Sequence, residues 1–340
     1  MDKETILSWL KEEDPKRLEK LWQEADEVRA RCVGDEVHLR GLIEISNYCI
    51  NRCYYCGINR DIRTLARYRM TEEEIMAVVR EIVKRGYGTV VLQSGEDPGI
   101  KRTWMSELIR RIKGETPLAV TLSLGERNVG DFAAWRKAGA DRYLLKFETS
   151  NRYLYRYLHP PRQGEEIDRL ILLEELSSLG YEVGSGIMVG LPGQTYEDLY
   201  EDLSIFRRLD LDMIGIGPFI PHPKTPLGCH PDRLSRSEVP NTDLMTCKVI
   251  ALTRLLCPMA NIPSTTALAT VNPASGRILG LERGANVIMP NFTPIKYRKL
   301  YDIYPRPQET APGGEDPLSI ILSLGRRPGK GPGNRRRQIF

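Results

Sequence analysis

Val37-His38-Leu39-Arg40-Gly41-Leu42-Ile43-Glu44-Ile45-Ser46 reads as a strand, and the chain runs straight on as Asn47-Tyr48-Cys49-Ile50-Asn51-Arg52-Cys53-Tyr54-Tyr55-Cys56-Gly57. The second stretch sets three thiols within eight positions at the spacing C-x3-C-x2-C. One loop with that spacing can wrap a compact inorganic core and aim each thiolate at a different corner. A cube of iron and sulfide has four corners, so three protein ligands leave one iron open to a small molecule, whereas structural zinc closes with four protein ligands. Two plainer readings stand beside this one. The cysteines could form a zinc site completed by Cys32 or His38, or could be small buried hydrophobes. Tyr55, the aromatic residue just before the last cysteine, suits stacking on a purine ring.

Outward from this stretch, apolar runs alternate with amphipathic helices. Candidate strands are Val37 to Ser46, Thr89 to Gly95, Ala119 to Gly125, Arg142 to Thr149, Glu182 to Gly190, Met213 to Phe219, Asn261 to Leu268 and Ala285 to Asn291. Thr71-Glu72-Glu73-Glu74 is a capping box leading into Ile75, Val78, Val79, Ile82 and Val83, and Thr195-Tyr196-Glu197-Asp198 introduces Leu199, Leu203 and Phe206 in the same way. Eight strand-helix units over roughly 255 residues predict an α/β fold, a (β/α)8 TIM-type barrel spanning residues 37–304. A doubly wound open sheet is the alternative. In such barrels the reacting groups sit on loops at the carboxyl ends of strands, which is where the cysteine loop lies.

Residues 1–36 read as an N-terminal helical extension. Ile6, Leu7 and Leu10 mark a first helix, and Asp14-Pro15 then offers an N-cap and a first-turn proline before Leu18, Leu21, Trp22, Ala25 and Val28. Trp9 and Trp22 belong to the core on this reading. Residues 305–340 form a C-terminal segment ending in a Gly/Pro-rich basic tail. Its six positive charges after Gly325, with no acid after Asp316, turn a net charge of +4 into −2 for the rest of the chain. The tail therefore reads as flexible and solvated, and no nucleic-acid partner is expected.

At 340 residues, 41% hydrophobic and 28% charged, the chain is long enough for a large core and has the composition of a soluble globular protein. No apolar segment approaches a membrane span, and the opening Met1-Asp2-Lys3-Glu4 does not resemble a secretory signal. Seven cysteines, an odd number and clustered, fit a reducing cytoplasmic location better than a disulfide framework.

The cysteine spacing with Tyr55 resembles the radical S-adenosylmethionine superfamily. The resemblance implies one 4Fe-4S cluster on Cys49, Cys53 and Cys56, whose open iron is chelated by the amino and carboxylate groups of S-adenosylmethionine. It further implies reductive cleavage to a 5'-deoxyadenosyl radical. Such a cofactor needs acceptors, a guanidinium, a carboxylate and an apolar slot. Gln93-Ser94-Gly95-Glu96-Asp97 resembles the superfamily's Gly-Gly-Glu segment that meets the methionyl ammonium, with Ser94 in place of the first glycine. Thr121 and Ser123 offer hydroxyls on the third strand. Glu148 ends the fourth strand where a carboxylate can take both ribose hydroxyls, and the planar fork of Arg169 suits the methionyl carboxylate. An ordinary salt bridge between Glu148 and Arg169 is the alternative. Gly184 to Gln194 resembles the fifth-strand segment that admits adenine, with Met188 lining the slot or simply core.

Longer stretches narrow the resemblance: Val91 to Pro98, Val120 to Glu126, Met188 to Thr195, Gly215 to Pro223 and Ala285 to Asn291. Together they resemble the HydE-type maturases of FeFe-hydrogenase, from Val33 to about Pro305. This implies a small organometallic iron substrate with a cysteine-derived ligand, a low-potential electron donor and other hydrogenase maturation proteins as partners. Thr265, Thr266, Met289, Tyr301 and Tyr304 match family positions lining the substrate cavity, although each tyrosine could equally be core. Two departures stand out. No cysteine follows Cys257, so no second C-terminal cluster is expected, and Lys146 stands where relatives are expected to have arginine. His222 reads as a loop residue with no evident partner. A biotin-synthase-like or methylornithine-synthase-like enzyme is the runner-up, and a non-catalytic iron-sulfur scaffold the third reading. Biotin-type sulfur insertion would need further thiolates inside the barrel, whereas Cys229, Cys247 and Cys257 fall in a predicted loop and helix.

Overall fold

The computed structural model describes residues 1–162, 167–230, 237–305 and 316–336. Its strands are β1 (Glu36–Ser46), β2 (Thr89–Ser94), β3 (Ala119–Ser123), β4 (Arg142–Leu144), β5 (Glu182–Val189), β6 (Met213–Pro218), β7 (Val287–Ile288) and β8 (Arg327–Pro328). Seven of them lie in the order β6-β5-β4-β3-β2-β1-β7, every pair parallel, as helical crossovers require. The two outer strands are tied through residues 261–263. Asn261 bridges Met213 of β6, and Pro263 bridges Val287 of β7. The ring is thereby completed, and the expected α/β barrel, rather than an open doubly wound sheet, is the fold.

Helix Glu72–Lys84 opens with both halves of the Thr71/Glu74 capping box, and helix Tyr196–Arg208 with both halves of the Thr195/Asp198 box. Both boxes satisfy amide groups that the first helical turn leaves without partners. The first of these helices buries Ile75, Met76, Val79 and Ile82. A Cβ at position 41 of β1 would stand 2.5 Å from Ile82 Cδ1, so Gly41 is what lets helix and strand approach this closely. Asp14 and Pro15 start helix Pro15–Val33 as read from the sequence. Ile6, Leu10, Leu18, Leu21, Trp22 and Ala25 of the two N-terminal helices join the main core, and the buried Lys248 ammonium donates to the Leu10 carbonyl at 3.1 Å.

Three expected strands are shorter than their apolar runs. The β4 ladder stops at Leu144 and resumes only as a bridge between Glu148 and Ile187, because Glu148 takes the left-handed conformation at φ 64°. The expected strand 261–268 is reduced to its bridges at Asn261 and Pro263. Thr265 caps a helix, Thr266–Val271, which diverts the chain. The run 285–291 keeps only Val287–Ile288 in ladder, with Asn291 bridging Leu42.

The largest correction concerns the tail. Although most of its side chains face solvent, the stretch 326–336 is not free: it is held across the amino-terminal mouth of the barrel. Arg326 is buried, with Nη1 donating to the Ala285 carbonyl at 3.2 Å and Nη2 to Asp26 at 2.5 Å. β8 extends the edge of β1 in parallel at Glu36 and Val37. The Pro332 carbonyl then accepts from Thr89 and Arg142 at 2.9 Å each, and the Gly333 carbonyl from Arg40 and Asn261 at 3.1 Å each. Charge count and Gly/Pro content could not reveal this, because the partners are buried arginines and carbonyls on distant strands.

Candidate active site

The cysteine loop leaves the carboxyl end of β1 and is pinned by neighbours on three sides. The Gly95 amide donates to the Ser46 carbonyl at 3.2 Å, the Ile50 amide to the Glu96 carbonyl at 3.0 Å, and the Tyr54 amide to the Leu158 carbonyl at 2.9 Å. A Cβ on residue 95 would lie 2.3 Å from the Tyr48 carbonyl oxygen, so only glycine lets β2 come this close to the loop. All three thiols are free. Burial pushes Cys49 up, pushes Cys56 up to about 12 and pushes Cys53 well up, and the neighbouring cysteines add to the rise at Cys53 and Cys56. The three sulfurs therefore share one field that disfavours three bare thiolates. A polycationic core is the kind of group that would offset it, since thiols bind metal in the deprotonated form.

The zinc readings fail on position. His38 lies near the start of β1 and the cysteines beyond its end. At about 3.3 Å per residue, roughly 25 Å of strand separates them. Cys32 lies in the last turn of the helix before β1, also at that far end. Among the described residues, no three His, Cys, Asp or Glu side chains are grouped to hold a single metal ion.

Beside the loop stands a network of acids and cations. The Glu96 carboxylate accepts from the Asn51 side-chain amide at 2.8 Å and from the Glu126 backbone amide at 3.1 Å. Arg162 reaches both Glu96 and Glu126. Arg169, the first residue of helix Arg169–Ser178, donates from Nε to Glu126 at 2.7 Å and from Nη1 to the Lys146 carbonyl at 2.6 Å. The salt bridge considered between Arg169 and Glu148 does not form, because Glu126 takes the guanidinium while Glu148 pairs with Lys146 at 3.1 Å. Glu126, Arg162 and Asn51 were not singled out from the sequence. Glu126 closes one of the stretches quoted above, and a carboxylate directly after Gly125 at a strand end was a readable signal.

Glu148 itself is held in its uncommon backbone state from several sides. Its amide donates to the Gly186 carbonyl at 3.0 Å and its carbonyl accepts from the Met188 amide at 3.0 Å. Asp202 accepts from the Ser150 amide at 2.6 Å just beyond. A non-glycine residue in this region costs on the order of 1 to 2 kcal/mol, which the surroundings must hold in place.

Tyr55 and Met188 meet in a small apolar cluster apart from the main core, with Leu154, Leu158, Leu191 and Phe219. The Tyr55 hydroxyl lies 2.7 Å from His159 Nε2, and His159 Nδ1 lies 3.3 Å from the Tyr155 carbonyl. Burial pushes the His159 pKa well down. The neutral ring thus donates to the carbonyl and accepts from the phenol.

The remaining expected residues divide. Gln93 at the end of β2 donates to the Tyr301 hydroxyl at 3.3 Å, which brings those two together across the barrel top. Thr121 is fully buried on β3 with its hydroxyl unpartnered, and Ser123 ends the same strand half-buried. The Ser94 hydroxyl donates to the Gly95 carbonyl at 2.6 Å. Thr265 is engaged locally, donating to the Ile216 carbonyl at 2.9 Å and capping its helix, while Thr266 is exposed. Met289 and Tyr304 are half-buried. His222, expected to be a partnerless loop residue, is buried and donates from Nε2 to Asp302 at 3.3 Å, while its Nδ1 accepts from the Lys224 amide. This pair packs over Gly57, directly after Cys56, where a Cβ would lie 2.8 Å from the imidazole.

Comparison with known proteins identifies the family. The family model of the radical SAM superfamily matches residues 43–206, which takes in the cysteine loop, Glu96, Glu126, Glu148 and Arg169. The chain is 48% identical over 323 residues to the FeFe-hydrogenase maturase subunit HydE of Thermotoga maritima, covering 94% of this chain and 89% of that one. It is 30% identical over 308 residues to the 3-methylornithine synthase of Methanosarcina acetivorans, covering 88% and 82%. The crystal structure of methylornithine synthase PylB superposes with a TM-score of 0.78 at 26% identity, covering 96% of this chain and 93% of that one. The chain belongs to the radical SAM superfamily of enzymes and, within it, to the HydE family.

Proposed function

We propose that this enzyme acts in assembling the active-site iron subcluster of FeFe-hydrogenase, together with other maturation proteins and a low-potential electron donor. The reading rests on 48% identity to a HydE subunit along nearly the whole chain, with the three-thiol loop intact. Cys49, Cys53 and Cys56 would hold one 4Fe-4S cluster. When bound, the cluster and S-adenosylmethionine supply reductive cleavage of the sulfonium carbon–sulfur bond. The protein's part is to bind and orient. Glu96 would take the methionyl ammonium, and Arg169, kept in place by Glu126 and the Lys146 carbonyl, would stand toward the carboxylate. Glu148 would take the ribose diol, with Tyr55 and Met188 forming the wall against adenine.

The substrate proposed is a small organometallic iron species carrying a cysteine-derived ligand, held in the barrel lumen. Thr121 supports that placement, since a buried hydroxyl without a partner is costly unless a ligand or water uses it. Gln93, Ser123, Thr265, Thr266, Met289, Tyr301 and Tyr304 would complete the wall. Biotin-type sulfur insertion is disfavoured, because Cys247 and Cys257 lie in or at the end of helix Asp243–Leu256 and Cys229 is exposed. No described helix is long and apolar enough to cross a membrane, and a cytoplasmic location is proposed.

Two measurements test the reading. Omitting this protein while the remaining maturation proteins assemble an FeFe-hydrogenase should leave the hydrogenase inactive. Full activity without it would remove the maturase role, and retained cofactor cleavage would then favour a rearrangement of the methylornithine type. Glu148→Gly should weaken S-adenosylmethionine binding about tenfold or more in a calorimetric titration, through the loss of charge-assisted contacts. Stability should stay within about 1 kcal/mol of wild type, because glycine relieves the φ 64° conformation while the Lys146 pair is lost. Unchanged affinity would make Glu148 a purely structural residue.

A further inference from the structure

The cysteine loop contains a cation that no reading of its motif uses. After Cys56 the chain turns back and runs antiparallel beside the end of β1. The Met70 amide donates to the Ile45 carbonyl at 2.8 Å, the Asn47 amide to the Tyr68 carbonyl at 3.3 Å, and Ser46 bridges Arg69. The Asn47 side chain reinforces this return limb, accepting from the Tyr68 amide at 2.8 Å and donating to the Ala66 carbonyl at 2.9 Å. Arg69 pairs with Asp97 through two nitrogens at 2.7 and 2.8 Å and lies 3.8 Å from the Tyr48 ring centre.

The return limb delivers Arg67 into the loop. Arg67 Nη1 donates to the carbonyls of Asn47 at 2.6 Å and Ile58 at 2.7 Å, and Nη2 to those of Asn59 at 2.6 Å and Ile62 at 3.4 Å. One planar fork thus joins the backbone two residues before Cys49 to the backbone two and three residues after Cys56. Among the described residues its hydrogen-bond partners are all carbonyls, so no carboxylate there cancels its positive charge. Bonded to carbonyls two residues before Cys49 and two residues after Cys56, the guanidinium holds that charge at the two ends of the thiol stretch.

We infer that Arg67 is a positioning residue for the cluster, closing the cysteine loop through backbone carbonyls at both ends and holding a fixed positive charge against the ligands at Cys49 and Cys56. The inference rests on the proposed cluster. A guanidinium suits both tasks because it remains charged and can serve several acceptors in one plane, which an ammonium cannot reproduce. A nearby cation stabilises the reduced, more negative cluster, so removing it makes reduction harder.

The test compares wild type, Arg67→Lys and Arg67→Gln. In the cluster-free protein, alkylation of Cys49, Cys53 and Cys56 is followed residue by residue by mass spectrometry, with buried Cys247 as internal reference. After anaerobic reconstitution, the midpoint potential is measured by redox titration followed by electron paramagnetic resonance. Both variants should alkylate at Cys49 and Cys56 about tenfold faster than wild type, with Cys247 unchanged, because the loop opens locally once the fork is lost. The Arg67→Lys potential should stay near that of wild type, while Arg67→Gln should shift to a more negative value. Wild-type alkylation and potential in Arg67→Gln would overturn the inference, and equal potential shifts in the two variants would overturn its electrostatic half. A wild-type protein that takes up no cluster would instead overturn the proposed function, with the alkylation arm still deciding whether Arg67 closes the loop.

Discussion

Exchange of Cys53 for alanine should leave a folded protein that no longer holds the cluster and converts S-adenosylmethionine to 5'-deoxyadenosine only at background level. Cys53 is the most enclosed of the three thiols, at 8% exposure, and burial together with Cys56 and Cys49 raises its pKa. With one corner of a cubane lost, the remaining pair cannot fix three irons while leaving the fourth open. The loop backbone should survive, because the Tyr54 amide to Leu158 and the Ile50 amide to Glu96 are main-chain contacts that alanine leaves in place. Iron and sulfide content, the visible absorption of the reconstituted protein and chromatographic detection of 5'-deoxyadenosine measure the effect. Cys247→Ala is the matched control: it removes a buried thiol in the helix Asp243–Leu256 and should cost only packing, on the order of 1 kcal/mol, with the cluster intact. Wild-type iron content and cleavage in Cys53→Ala would show that the cluster is bound elsewhere.

Truncation after Gly325 should be nearly as severe, but through folding. Arg326 ties Ala285 to Asp26, the Arg327 and Gly329 amides pair with the Asp35 and Val37 carbonyls, and Arg335 reaches Asp210 and Asp212. Between these anchors, the Pro332 and Gly333 carbonyls serve Thr89, Arg142, Arg40 and Asn261. Arg40 is the critical group. It is 1% exposed, its hydrogen-bond partners among the described residues are the Met213 sulfur and the Gly333 carbonyl, and burial lowers its pKa to about 9. Removing the tail opens the barrel floor and takes an acceptor from two buried guanidinium groups, those of Arg40 and Arg142. At about 1 kcal/mol for each neutral hydrogen bond, and more for those made by charged groups, the loss comes to at least about 5 kcal/mol. Typical domain stability is only about 5 to 15 kcal/mol, so the truncated chain should be largely unfolded or insoluble. Comparative urea denaturation decides the point, and an unchanged midpoint would mean that the tail rests on the barrel without stabilising it.

Arg169 and His222 show why the partners of site residues were harder to read than their positions. Both stand where the sequence placed them, one on the helix after the fourth strand and one after the sixth. Their partners, Glu126 and Asp302, lie 43 and 80 positions away in the chain. Glu148 was the evident carboxylate for Arg169, and only the course of the backbone through φ 64° turns it toward Lys146 instead.

The amino-acid sequence alone determined the features that depend on neighbours within a few positions. These are the three-thiol loop at the end of β1, the helix starts at Asp14, Thr71 and Thr195, and the alternation of strand and helix that makes a parallel barrel. A cap, a ligand spacing or an apolar period is written inside one turn or one strand, so local chemistry suffices to recognise it. The tertiary structure decided which acid holds Arg169, how the Asn261 to Leu268 run gives way to a helix after two bridges, and that a Gly/Pro-rich basic tail becomes the floor of the barrel. Each of these is a choice among distant partners. Burial makes that choice for the tail, where Arg40, enclosed within β1, and Arg142, enclosed at the start of β4, require acceptors that only the folded chain brings within reach.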